Sequence, residues 1–138
     1  MPRKYAVLLV TTLFGVAIDQ GTKAYIVAAL DLHQSWPVFP GFFSITHVRN
    51  PGAAFGFLAG ASPLFRVAFF IAITLIALGL ILYYLGRSTE AEARQAAGLS
   101  LIFTGAVGNL IDRVRFGEVV DFLDVYWGVH HWPAFNVA

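Results

Sequence analysis

One segment limits what this chain of 138 residues can fold into more than any other. Residues 67–85, VAFFIAITLIALGLILYYL, contain no charged side chain. A helix needs about 20 apolar residues to cross the roughly 30 Å hydrocarbon core of a bilayer. Tyr83 and Tyr84 near the end of the segment are typical of a membrane–water interface. The sequence therefore predicts an α-helical integral membrane protein.

The composition supports this prediction and excludes several functions. Apolar residues make up 58% of the chain and charged residues only 12%, too few to cover a surface in water. The net charge of +1 provides no basic field, so nucleic acid is not expected as a partner. The absence of Cys excludes disulfides, thiol catalysis and thiolate metal sites. We expect one membrane-embedded domain, residues 1–138, without cofactor or metal.

Two further segments are predicted to span the membrane, which gives three spans at about 5–30, 66–85 and 96–112. The first could be read as a signal peptide, but no small-x-small cleavage pattern follows it, so we interpret it as an uncleaved helix. The third, AAGLSLIFTGAVGNLI, has Ser100, Thr104 and Gly108 at every fourth position. Small residues at this spacing let a second helix approach closely.

Residues 31–63 and 113–138 are expected to lie outside the membrane. Pro and Gly interrupt the first of these regions, and FFSITHV alternates enough to predict short strands in a small β-structure. We interpret NPGAAFGF (50–57) as a turn. Aromatic residues in the second region, among them Trp127 and Trp132, are typical of interfacial anchors. The adjacent His130 and His131 do not predict a metal site, because neighbouring side chains point apart on most backbones.

Two carboxylates are expected to approach the same membrane face. At 1.5 Å per residue, Asp19 lies about 21 Å along the first span and Asp112 about 24 Å along the third, and these two spans run in the same direction. Asp19 precedes Lys23 by four residues, the favourable order for an ion pair that stabilises helix packing. Gly105, Gly108, Asn109 and Asp112 follow the spacing of one helix face.

Asp121 is the candidate for chemistry, because it interrupts the apolar stretch VVDFL. Burial raises the pKa of a carboxyl, and two neighbouring carboxyls can share one proton while they activate water and polarise a carbonyl. The residues alone leave open whether Asp112 or Asp124 would be the partner. A non-enzymatic alternative is a small proton-coupled transporter subunit that uses Asp19 and Asp112, although transporter sites lie near the bilayer midplane.

Five motifs resemble, in order and spacing, those of bacterial lipoprotein signal peptidase, or signal peptidase II. They are DQGTK (19–23), NPGAAFGF (50–57), GNLIDR (108–113), VVDF (119–122) and FNVA (135–138). The resemblance implies an aspartic endopeptidase with four transmembrane helices and a small periplasmic β-structure. It would remove the signal peptide of prolipoproteins by cleaving before the diacylglyceryl-modified cysteine. We expect a monomer in the bacterial cytoplasmic (inner) membrane, surrounded by membrane lipids, with its active site toward the periplasmic face.

The resemblance also implies roles for individual residues. Asp121 would be one catalytic aspartate, and the second would follow directly after Ala138, where the sequence given stops. We therefore expect a truncated chain that lacks the fourth span and, as it stands, has no peptidase activity. Residues expected to bind substrate or orient the site are Asn50, Asn109, Asp112, Arg113 and Asn136. Asp19 and Lys23 would serve structure, and Asp124 would be a surface carboxylate.

Overall fold

The computed structural model describes residues 1–52, 58, 60–89 and 93–138. Most of the turn expected at 50–57 therefore lies outside the described residues. The elements, in chain order, are α1 (Arg3–Ala29), β1 (Ser35–Phe39), β2 (Phe43–Asn50), α2 (Pro63–Arg87), α3 (Ala93–Phe116), β3 (Val119–Trp127) and β4 (His130–His131).

Two helices of the described chain, α1 and α2, are long and apolar enough to cross a membrane. They have 27 and 25 residues, and each extends slightly beyond the span predicted from the sequence at one or both ends. Helix α3 has 24 residues and a more polar composition, rich in Gly, Ala, Ser and Thr. It continues four residues past the expected end, to Phe116. Gly117 then ends it with a positive φ of 75° and an N–H bond to the Arg113 carbonyl.

Small residues bring α1 and α3 into close contact, as the sequence predicts. A Cβ on Gly108 would overlap the Asp19 carboxylate, and a Cβ on Gly15 would overlap the Thr104 methyl group. The hydroxyls of Thr12 and Thr104 lie 3.2 Å apart across the same contact. The two helices therefore hold their polar side chains at hydrogen-bonding distance from each other.

A four-stranded antiparallel sheet in the order β1-β2-β3-β4 lies at one end of the helices. The expected β-structure within 31–63 is confirmed, since it contains β1 and β2. The interpretation of 113–138 as an interfacial segment is incomplete, because α3 continues into it and β3 and β4 follow. The partner strand of β3 is β2, about 75 residues earlier in the chain, so this pairing is not a local pattern of the segment. Trp127 and Trp132 remain largely exposed, at 78% and 66%.

A small apolar cluster fixes the sheet on the helices. Ile26 and Leu30 at the end of α1 pack against Phe122 of β3, and all three side chains are buried. Phe122 follows Asp121 directly, so this contact also fixes the height of Asp121 above α1. Across the sheet, Asp121 lies opposite Val48 of β2. The strand pairing and the apolar contact thus determine where the candidate carboxylate lies.

Two glycines of α3 allow a matched test of the helix contact. Gly108→Ala should lower the melting temperature in detergent, because overpacking costs about 1–3 kcal/mol and the Asp19 carboxylate cannot move without losing its partners. Gly98→Ala should leave it unchanged or raise it slightly, since nothing lies within 4 Å of a Cβ there. Equal melting temperatures for the two variants would contradict the close contact of α1 and α3.

Candidate active site

Asp121 is buried on β3, with only 4% of its surface exposed. Two amides hold its carboxyl group, one at each oxygen. Asn136 donates its Nδ2–H to Oδ1 at 2.8 Å, and Asn50 donates its Nδ2–H to Oδ2 at 3.0 Å. Because both donors are neutral amides, neither of these contacts is an ion pair. Such a group can exchange a proton while its position stays fixed.

Burial raises the pKa of Asp121 above its ordinary value of 3.8. The hydrogen bonds from Asn50 and Asn136 lower it, as does the positive charge of Lys23, but the effect of burial is larger. The negative charge of Asp112 adds a smaller increase. The raised pKa predicted from the apolar sequence around Asp121 thus has the expected physical cause. Asp121 holds its proton at a higher pH than an exposed aspartate.

A turn after β2 positions Asn50. Its Oδ1 accepts a hydrogen bond from the Gly52 N–H at 2.9 Å, which leaves Nδ2 free to reach Asp121. Gly52 has a positive φ of 97°, and a Cβ at this position would overlap the ring of Phe70 on α2. Only glycine fits both the backbone conformation and the space. The sequence signal for Asn50 therefore includes the glycine two residues later.

Asn136 connects Asp121 to the end of the described chain and to α3. Its Nδ2 lies within hydrogen-bond distance of Asp121 Oδ1, Asn109 Oδ1 and the Val120 carbonyl, at 2.8, 3.1 and 3.3 Å. An amide has two N–H donors, so these three acceptors share them. Its Oδ1 accepts the N–H of Ala138 at 2.8 Å. Asn136 therefore orients the carboxylate and the following backbone together.

A buried ion cluster lies beneath the sheet, between α1 and α3. The Lys23 ammonium donates to Asp19 Oδ2 and Asp112 Oδ2 at 2.9 Å each, and to Asn109 Oδ1 at 3.0 Å. These three acceptors match the three N–H groups of a lysine. The charged side chains are at most 3% exposed. The expected pairing of Asp19 with Lys23 is confirmed, and so is the convergence of Asp19 and Asp112 at one end of the helices.

Asp112 connects the ion cluster to β3, the strand that carries Asp121. Its Oδ2 accepts the backbone N–H of Val120 at 3.0 Å, which fixes the residue directly before Asp121. Its Oδ1 accepts a bond from Gln20 Nε2 at 2.9 Å. The Gln20 amide also lies within bonding distance of Asp19 Oδ2 and of the Gly108 carbonyl. Gln20 was not among the residues predicted for the site, although it lies beside Asp19 in DQGTK.

Of two further residues considered from the sequence, Arg113 lies near Asp121 and Asp124 does not. The Arg113 guanidinium lies over the Phe70 ring, 5.4 Å from its centre, and its charge interacts with Asp121 and Asp112. Asp124 is not part of the site, because it bonds to His131 Nδ1 at 2.9 Å and lies three residues from Asp121, on the other face of the strand. Within the described residues, no three His, Asp or Glu side chains are grouped to hold a metal ion.

Comparison with known proteins gives one consistent result. The family model for signal peptidase (SPase) II matches residues 11–138. The chain is 54% identical to the lipoprotein signal peptidase of Syntrophus aciditrophicus and 53% identical to that of Geobacter metallireducens. Each alignment covers 100% of this chain, and 86% and 84% of the respective relative. These matches do not favour the alternative of a transporter subunit.

Solved structures agree with this result. Two structures of a bacterial membrane enzyme superpose on the chain with TM-scores of 0.82 and 0.81, both at 38% sequence identity. Both cover 96% of this chain, and the chain covers 77% and 82% of theirs. The arrangement of helices and sheet is thus that of a membrane enzyme.

Replacement of Lys23 should measure how much the ion cluster contributes to the stability of the fold. Lys23→Met leaves two carboxylates buried without their counter-charge, which should lower the free energy of unfolding by about 3–5 kcal/mol. Adding Asp19→Asn to this variant should restore part of the loss, because it removes one of the uncompensated charges. Thermal unfolding in detergent measures both effects. An unchanged melting temperature in Lys23→Met would contradict a stabilising role for the ion cluster.

The raised pKa of Asp121 predicts a pH dependence of stability. Because the folded chain holds this proton more tightly than the unfolded chain, the stabilisation is complete below pH 3.8 and is lost as pH rises through the folded pKa. Asp121→Asn lacks this dependence. The melting temperature of the unaltered chain minus that of the variant should therefore fall as pH rises from 3.8 towards neutrality. A difference that rises with pH would mean that the pKa is lowered.

Proposed function

This chain belongs to the signal peptidase II family of bacterial membrane proteases, and we propose that Asp121 is one of its two catalytic carboxylates. The function of the family is the removal of signal peptides from prolipoproteins. The observation that carries the proposal is the buried Asp121 carboxyl, held by the amides of Asn50 and Asn136. A pair of carboxyls that share one proton can activate water and polarise a peptide carbonyl.

Peptide hydrolysis by such a pair requires a base and an acid. The ionised carboxyl takes a proton from water, and the water oxygen bonds to the scissile carbonyl carbon. The protonated carboxyl donates its proton to the carbonyl oxygen, which stabilises the tetrahedral intermediate. The first carboxyl then gives the proton that it took from water to the amide nitrogen as the C–N bond breaks, and the second carboxyl recovers a proton from a hydroxyl of the intermediate. The raised pKa of Asp121 suits a group that carries a proton in this cycle.

The partner carboxyl is assigned to an aspartate directly after Ala138, as the family resemblance implies. Two contacts support this position. Asn136 binds the N–H of Ala138 and the Asp121 carboxylate at the same time. Ala138 also lies against Gly105 of α3, where a Cβ would come within 2.5 Å of the Ala138 carbonyl carbon. A residue that follows Ala138 would therefore begin next to the site, whereas Asp112 and Asp124 are engaged elsewhere.

The remaining polar residues are proposed to orient rather than react. Asn109 and Asp112 reach Asp121 through Asn136 and through the Val120 backbone. Arg113, stacked on Phe70 near the turn that holds Asn50, is suited to contact the substrate backbone. Asp19 and Lys23 are assigned to structure. The substrates on this proposal are diacylglyceryl-modified prolipoproteins, cut before the modified cysteine.

The same proposal includes the arrangement of the protein in the membrane. At 1.5 Å per residue, the 24 residues of α3 are about 36 Å long, enough to cross a bilayer beside α1 and α2. We assign three spans to this chain and place it, as a monomer, in the inner membrane. The sheet and Asp121 would then lie at the periplasmic face, with the cleavage site of a prolipoprotein.

Two aspartates of β3 provide a matched test. In a chain with an aspartate directly after Ala138, Asp121→Asn should lower cleavage of a diacylglyceryl-modified precursor peptide by roughly 10²–10⁴-fold, the usual effect of losing an acid–base group. Asp124→Asn changes the same side chain on the other face of the strand and should retain most of the activity. Circular dichroism of both variants in detergent would show that they fold. Loss of activity in Asp124→Asn, with Asp121→Asn active, would reassign the catalytic carboxylate.

A further inference from the structure

A cavity of about 210 Å³ opens at the end of the helices opposite Asp121. It lies between the beginning of α1 and the beginning of α3. Its walls include two basic residues, Arg3 and Lys4, together with Val7, Thr89, Ala93 and Ala97. Asp19 is 16 residues further along α1, which places the ion cluster about 24 Å from Arg3. The cavity is therefore separate from the site around Asp121.

Backbone contacts hold the charge of Lys4 at this cavity. Its ammonium donates to the carbonyls of Gly86 and Ser88, at 2.8 and 2.7 Å, where α2 ends. Two of its three N–H groups are thus used to tie α1 to α2. Arg3 lies beside it with an exposed side chain. The cavity consequently has a positive rim that the fold itself keeps in position.

The wider charge distribution favours an anion at this end. Arg87 and Arg94 lie close in sequence to the same helix ends, so four basic residues gather here. The sequence between α2 and α3 also contains Glu90 and Glu92, which lie outside the described residues. The charged side chains that the structure describes at these helix ends are therefore basic. In contrast, Val7, Ala93 and Ala97 give the walls of the cavity an apolar part.

We propose that this cavity binds the headgroup of an anionic phospholipid. Arg3 and Lys4 hold the phosphate, and Val7, Ala93 and Ala97 contact the first part of an acyl chain. Helices that cross a bilayer end at the level of the headgroups. Basic pockets between such helices bind acidic headgroups. The volume is below the roughly 300 Å³ at which pockets for drug-sized ligands begin, so a headgroup fits but a whole lipid does not.

The test is a lipid titration of the purified chain in a neutral detergent, followed by native mass spectrometry. Phosphatidylglycerol should bind more tightly than phosphatidylcholine with the same acyl chains, and inorganic phosphate should not compete. Arg3→Gln should weaken phosphatidylglycerol binding roughly tenfold, or about 1.4 kcal/mol, the size of one charge-assisted hydrogen bond. Arg94→Gln removes the same charge from the same end without altering the cavity wall, and binding should be retained.

Several outcomes would overturn the proposal. Equal weakening by Arg3→Gln and Arg94→Gln would show diffuse attraction to surface charge. Competition by inorganic phosphate would show a site for free anions. Ala97→Leu should also weaken binding, because it fills the apolar part of the cavity. Undiminished lipid affinity in this variant would show that no acyl chain lies in the cavity. Melting temperatures without lipid check folding, and if Ala97→Leu does not fold, the exposed Arg3 decides the result.

Discussion

Lys23 donates hydrogen bonds to Asp19, Asp112 and Asn109 inside the contact of α1 and α3, where almost no surface of these charged groups is exposed. An unpaired ion in such a place costs several kcal/mol, so the bundle is stable only when the three partners meet at the right height and angle. Gly108 permits this meeting, because any side chain there would displace the Asp19 carboxylate. The close packing of the two helices and the pairing of their charges therefore depend on each other.

The position of Asp121 follows from this cluster. Asp112 binds Lys23 through the same oxygen that accepts the Val120 N–H, so the ion pair and the start of β3 are fixed by one carboxylate. On the other side, Phe122 packs against Ile26 and Leu30 of α1. Asp121 lies between these two attachments. The proposed catalytic residue is thereby held by its neighbours in the chain, and the hydrogen bonds to its own carboxyl come from the neutral amides of Asn50 and Asn136.

The protein therefore contains two kinds of buried carboxylate. Asp19 and Asp112 are paired with Lys23, which suits groups that maintain structure. Asp121 is buried beside Asn50 and Asn136, and its pKa is raised because amides compensate the lost hydration only in part. A third carboxylate, Asp124, is three residues further along the strand but bonds to the half-exposed His131. The surroundings of each group, rather than its residue type, set its chemistry.

The sequence by itself determined the membrane class, the three long helices and the family. The reason is that these depend on local patterns: the uncharged run at 67–85, the spacing of small residues in α3, and five motifs in order. Helix periodicity was also sufficient to pair Asp19 with Lys23 and to direct Asp19 and Asp112 to one end. The tertiary structure decided which groups meet across the chain. Asn50 reaches Asp121 over 71 residues and Gln20 reaches Asp112 over 92, and both contacts arise from strand pairing and helix packing. It also showed that Asp124 faces away from the site, because the face of a strand is settled only when its partner strand and the helix beneath it are in place.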